Sequence, residues 1–161
     1  MLSRPRARAR ASALLLLLVS LLGSLVVGTA SPASASSWRS QVTAYADDFR
    51  GSPYQWGAAG PSRFDCSGYT LYVYRHFGKS LPHNSSQQYS VMHHVAKNQK
   101  VPGDLLFFRN SSGRISHVAI YAGPSRQQAT LNKPMMWHAP HTGDVVKVQP
   151  IYSSNYLVGR L

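Results

Sequence analysis

The chain has 161 residues, with 17 lysines and arginines against five aspartates and no glutamate, for a net charge of +12. That length suits one domain with its own core behind a leader and leaves no room for a second. A basic balance without interleaved aromatic and basic residues argues against nucleic acid and for an anionic surface such as a bacterial wall, although the same charge could serve only solubility.

The first segment reads as a secretion signal. Arg4, Arg6, Arg8 and Arg10 form a basic start, Leu14 to Val27 an apolar stretch of 14 residues broken by Ser20, Gly23 and Ser24, and Ala33-Ser34-Ala35 a small-residue cleavage site. Cleavage is expected after Ala35, with Ala30 as the competing position. The apolar stretch is shorter than the roughly 20 residues a spanning helix needs, so no membrane anchor is expected after cleavage. The arginines are not paired, which favours general secretion over the twin-arginine route. The remainder, 36–161, carries 13 basic residues against five aspartates, a net charge of +8.

Val42, Tyr45, Ala46 and Phe49 stand at helical spacing within Ser37 to Arg50, with Ser36 or Ser37 as N-cap and Gly51 as stop. Gly51 to Asp65 is rich in Gly and Pro and reads as a loop packing Tyr54 and Trp56. A second helix is expected from Cys66 to Phe77 through Thr70, Val73, Tyr74 and Phe77, closed by Gly78 in a left-handed C-cap. The second half changes character. Asp104 to Phe108, Ile115 to Tyr121, a run ending at His138, Val145 to Val148 and Tyr156 to Val158 are short apolar or alternating runs between turn residues, the pattern of strands. Helices first and strands afterwards indicate an α+β domain, a helical layer carrying Cys66 packed on an antiparallel sheet.

Cys66 is the only cysteine. In an oxidising compartment a lone thiol is either buried ballast or a nucleophile. The helix start favours the second reading, because unpaired backbone N–H groups and the dipole there stabilise a thiolate, lowering its pKa from about 8.5 towards neutrality, and can also hold an oxyanion. A nucleophilic thiol needs a base, and seven histidines compete. His117 opens a strand and would project from the rigid edge of the sheet. His138, at a strand end, could hold His117 in the right tautomer. His76 falls inside the second helix, and His83, His93, His94 and His141 fall in polar loop-like stretches that read as surface. His93-His94 and the His138, His141 spacing do not make a metal site, since the adjacent pair has no acidic ligand nearby and Pro140 interrupts the helix that the other spacing requires. No metal and no cofactor are expected.

Six segments then resemble one family in order and approximate spacing. They are Tyr54-Gln55-Trp56-Gly57, Phe64-Asp65-Cys66-Ser67-Gly68, Leu81-Pro82, Pro102 to Phe108, Ser116 to Tyr121, and His138-Ala139-Pro140. They are similar to the NlpC/P60 cell-wall endopeptidases, which are papain-like cysteine peptidases, over about Val42 to Val158. The resemblance implies a triad of Cys66 as nucleophile, His117 as base and then acid, and His138 as orienting residue. It implies cleavage of an amide in peptidoglycan stem peptides, most often from γ-D-glutamate to the following diamino acid. It places Tyr54 near the thiol, and Asp65, Ser67 and Ser116 along the subsite for a free stem-peptide amine. The chain departs from the family at Ala58 and Ala59, where a second glycine is common, and at His83, where an arginine is common. None of the wall-binding modules many relatives append is expected beside this domain. The expected protein is a secreted, wall-associated monomer. A related amidase or acyltransferase on the same fold, or a non-catalytic wall-binding protein, are the competing readings.

Overall fold

The computed structural model describes residues 32–127 and 131–161; the expected basic start and apolar stretch of the signal lie outside them. Three α-helices, α1 (Pro32–Asp47), α2 (Cys66–His76) and α3 (Ser85–Ser90), precede all six strands, which follow in the order β1 (His93–Val95), β2 (Leu105–Arg109), β3 (Ile115–Pro124), β4 (Pro134–His138), β5 (Lys147–Pro150) and β6 (Tyr156–Arg160). The strands form one antiparallel sheet in the order β1-β6-β2-β3-β4-β5. This is the expected α+β arrangement.

Alternation along β2 and β3 divides the core. Leu105, Phe107, Val118 and Ile120 face the helices and meet Val42 and Ala46 of α1 and Tyr69, Val73 and Tyr74 of α2. Leu106, Phe108, Ala119 and Tyr121 face the other side, where Met136, Tyr156 and Val158 of the neighbouring strands stand beside them. Each buried Leu, Val or Phe contributes about 1.5–3 kcal/mol, so both faces are fixed in register, because a one-residue slip would exchange them. At the far end of the sheet buried Asp104 binds Arg39 of α1 and Arg160 of β6, tying the first helix to the last strand.

Several expected boundaries move. The first helix starts at Pro32 and runs through Ala33-Ser34-Ala35, so Ser36 and Ser37 are not its N-cap. His93 and His94 lie in β1, paired with Arg160 and Gly159, rather than in a loop. The strand expected at Val145 begins at Lys147, because 144–146 pairs instead with the loop before α2: Tyr54 N–H donates to Asp144 O (2.8 Å), Gly51 N–H to Val146 O (2.9 Å) and Val146 N–H to Ser52 O (2.8 Å). The helix from Cys66 and its glycine stop are as expected: Phe77 caps α2 and Gly78 follows at φ +69°. Among the described residues no helix is long and apolar enough to cross a membrane.

The start of α2 is pressed against the preceding loop. A Cβ built on Gly68 would stand 2.1 Å from the carbonyl oxygen of Ala58 and 2.9 Å from Ala59 Cα. That carbonyl also accepts the Asp65 N–H (2.8 Å), so the loop cannot retreat without loosening the cap. Gly68→Ala is therefore expected to cost about 1–3 kcal/mol of stability, read as an earlier urea midpoint with unchanged slope. An unaltered midpoint would show that the loop yields freely.

Candidate active site

Asp65 builds the floor. It is the N-cap of α2, and its Oδ1 accepts the Gly68 N–H (2.7 Å) and the Ser67 hydroxyl (3.1 Å). Its Oδ2 accepts the Gly57 N–H (2.9 Å), and His83 Nε2 lies 3.0 and 2.9 Å from the two oxygens. Asp65 is only 6% exposed. The cap starts the helix at Cys66 and leaves the Cys66 and Ser67 N–H groups facing the thiol, where the Val118 N–H of β3 joins them. Gln88 of α3, fully buried, secures the same turn: its Nε2 donates to Ser67 O (2.9 Å) and Pro82 O (2.8 Å), and its Oε1 lies 2.8 Å from Thr70 Oγ1.

The two expected histidines meet. His117 Nε2 and His138 Nδ1 are 2.9 Å apart with their rings at 76°. β3 is an inner strand between β2 and β4, so His117 projects from the start of an interior strand, not from a sheet edge. His138 is 1% exposed, whereas His117 is partly open. Burial lowers both imidazoles, His117 to about 3, helped by the neighbouring His138 and His141, and His138 to about 4, helped by Lys147 and opposed by Gln149 and Asp144. With His117 Nε2 carrying a proton to His138 Nδ1, the remaining nitrogen, Nδ1, is the one free to act as a base. Nε2 of His138 is buried with no hydrogen-bond partner among the described residues.

The thiol departs from the sequence expectation. Burial pushes Cys66 up from its ordinary value, and the Asp65 charge adds to this; the N–H groups of Val118, Ser67 and Cys66 pull the other way without prevailing. The helix start is present, but desolvation of the thiolate outweighs it. Burial thus favours a neutral thiol at Cys66 and a neutral imidazole at His117. Alkylation of Cys66 by iodoacetamide should keep accelerating through pH 9 and beyond; a rate already flat at neutral pH would show that the ion pair forms in the free protein.

Two cavities flank the pair. One of about 210 Å³ is lined by Trp56, Gly57, Asp65, Cys66, Ser67, His83, Asn84, Ser85 and Ser116. The other, about 280 Å³, is lined by His117, His138, Pro140, His141, Asp144, Lys147, Gln149 and Tyr152. Burial raises the Tyr54 and Tyr152 hydroxyls, and the nearness of Cys66 adds to this in both. Tyr54, Asp65, Ser67 and Ser116 thus gather with the thiol. Trp56 does not pack as expected; it is 83% exposed, at the rim of the Cys66 cavity. His83 is no idle surface residue but the partner of Asp65. His76 stacks on Tyr45 (3.8 Å), and His94 on Tyr89 (4.1 Å), away from the thiol cavity. Among the described residues no group of three or more His, Cys, Asp or Glu is arranged to hold a metal ion. Gln88, Gln149 and Tyr152 escaped the sequence reading; the polar Ser-Ser-Gln-Gln run after Asn84, an N-cap residue, was the one signal for the helix that carries Gln88.

Comparison with known proteins converges on one group. The NlpC/P60 family pattern matches residues 51–158. A probable endopeptidase p60 from Listeria grayi is 46% identical over 97 residues, covering 60% of this chain and 19% of that protein, so the chain spans about a fifth of that curated relative's length. The NlpC/p60 domain of the peptidoglycan hydrolase SagA superposes with a TM-score of 0.64 at 33% identity, covering 76% of this chain and 98% of that one. RipD from Mycobacterium tuberculosis, described as a non-catalytic NlpC/p60 domain protein adapted to peptidoglycan binding, superposes with a TM-score of 0.61 at 28% identity over 76% of this chain and 97% of that one.

Proposed function

The chain belongs to the NlpC/P60 family, and from that premise we propose that it is a secreted, wall-associated cysteine endopeptidase hydrolysing an amide in peptidoglycan stem peptides, at the bond from γ-D-glutamate to the diamino acid. The observation that carries the reading is the His117–His138 contact at 2.9 Å, with the N–H of the next residue, Val118, reaching Cys66 at a capped helix start. A protein kept only for binding has no need of a buried imidazole pair next to a thiol, since each buried polar ring costs desolvation.

The chemistry runs through three residues. Cys66 Sγ attacks the amide carbonyl as its proton passes to His117 Nδ1, and His138 holds the imidazolium that forms through His117 Nε2. Because the resting pair is neutral, the proton moves as the carbon–sulfur bond forms. The oxyanion rests on the Cys66 backbone N–H with the Tyr54 hydroxyl as second donor. His117 then protonates the departing amine, the C–N bond breaks, and a thioester remains. Water, giving its proton to His117, hydrolyses the thioester and returns the acid and the free thiol. No cofactor enters this sequence. Since Cys66 lines one cavity and His117 the other, the acyl half lies against Asp65, Ser67 and Ser116 and the amine half against Asp144, Lys147 and Tyr152.

Digestion of purified peptidoglycan followed by mass spectrometry tests this. A new free amine on the diamino acid is the expected product. A new free lactyl group would make the protein an amidase instead, and binding to wall material without any product would make it a wall-binding protein like RipD.

A further inference from the structure

His138 carries a polar atom that its pairing with His117 does not use. A neutral imidazole has one donor and one acceptor nitrogen, so when His138 Nδ1 accepts the proton of His117 Nε2, its own proton sits on Nε2. That atom is buried, and no hydrogen bond is closed to it among the described residues. An N–H left in this state is costly. The cost rises when His117 becomes an imidazolium, because part of the charge is then shared with His138 across the bond between them.

Besides His117, five polar side chains line the cavity of about 280 Å³ with His138: His141 and Asp144 before β5, Lys147 and Gln149 within it, and Tyr152 after it. Lys147 has only donors, and its ammonium is bound to Asp144 Oδ2, while Asp144 Oδ1 accepts the Val145 N–H (2.8 Å). The exposed His141 ring is turned to its own loop, with Nδ1 donating to Thr142 O (2.9 Å). Tyr152 is exposed and stacked on Phe108. Gln149 remains, and the sheet puts it in place. His138 pairs with Lys147 and Met136 pairs with Gln149, so His138 and Gln149 are diagonal neighbours on one face of β4 and β5, a separation that a long side chain spans. Burial and Lys147 lower His138, but the Gln149 side chain pulls the other way, as an acceptor near the ring does.

We propose that Gln149 is a positioning residue whose side-chain oxygen, Oε1, takes the His138 Nε2–H as charge develops on His117, and so holds His138 in the tautomer that accepts from His117. This rests on the endopeptidase reading above and adds to it the group that orients the orienting histidine. Each ring then donates through one nitrogen and accepts through the other, from Gln149 Oε1 through His138 and His117 to the Cys66 proton. Gln149 touches no reacting atom. Catalytic hydrogen bonds are often open in a free enzyme and tighten only with substrate, and this one gains strength when the positive charge appears. It therefore favours the transition state over ground-state binding.

The test joins kinetics on a soluble stem peptide to nitrogen-15 NMR of the imidazoles, both with the full chain. Gln149→Leu, which removes the acceptor, should lower kcat by about tenfold to a hundredfold, the worth of one hydrogen bond to a charged group, and leave KM in place. Gln149→Glu keeps an acceptor at the same reach and should recover most of that loss. In the unaltered protein at pH 7 the spectrum should show His138 protonated on Nε2 and bare on Nδ1. An unchanged kcat in Gln149→Leu, an equal fall in both variants, or a His138 protonated on Nδ1 overturns the proposal and leaves the endopeptidase standing. A parent protein that cuts no stem peptide overturns both.

Discussion

Cys66→Ala should abolish amide hydrolysis, by at least about 10⁴-fold in kcat, while the protein stays folded and continues to bind wall material. The loss is large because the thiol is the atom that forms the acyl bond; without it the His117–His138 pair has no proton to accept and no intermediate to resolve. The fold should survive because the Cys66 side chain is only half-buried and the helix start is held by other groups, Asp65 on one side and Gln88 on the other. Removing one sulfur there should cost no more than about 1 kcal/mol. His117→Ala should lose nearly as much activity, and the double variant little more than either single one, because the two residues act as one unit. Product formation by Cys66→Ala at the unaltered rate would end the nucleophile assignment. A parent protein that binds wall material but forms no product would place the chain beside RipD and leave the buried imidazole pair without a catalytic use.

How far the sequence reaches can be seen by following single residues. Cys66 at a helix start was legible because the apolar positions beyond it recur at helical spacing and Gly78 stops the run, both local signals. The pairing of His117 with His138 was legible only as a possibility, since it depends on β3 and β4 lying side by side in register, a contact between residues 21 apart in sequence. The ionisation of Cys66 was misjudged for a related reason. A helix start is a local feature, but burial of the thiol is decided by β3 and by the loop pressed on Gly68, and burial prevails. Trp56 reads as a packing aromatic by type yet stands exposed at a cavity rim, and His83 reads as a surface residue yet binds the cap of α2. Neither position has a periodic pattern around it to reveal its environment. α3 was missed because six polar residues carry no apolar stripe, so Gln88, its one buried side chain, has no sequence signature either.

The burial that keeps the His117–His138 pair neutral should make the fold sensitive to acid. In the unfolded chain both imidazoles titrate near 6.5; in the fold His117 is held down to about 3 and His138 to about 4 by burial. Between these values the unfolded state binds protons that the folded state refuses, so unfolding free energy falls as pH falls. The stability is fully present above pH 6.5 and is lost progressively as pH drops towards the folded values. One pKa unit corresponds to about 1.4 kcal/mol, and the rings are coupled across one hydrogen bond, so the pair acts once, for a loss on the order of several kcal/mol by pH 4. That is a large share of the roughly 5–15 kcal/mol that holds a domain of this size together. Urea melts at pH 7, 6, 5 and 4 should show the midpoint falling steadily, and His138→Asn should flatten the slope. A midpoint constant from pH 7 to pH 4 would mean that the imidazoles take up protons in the fold as readily as in the unfolded chain, and the lowering of His117 and His138 by burial would fall with that result.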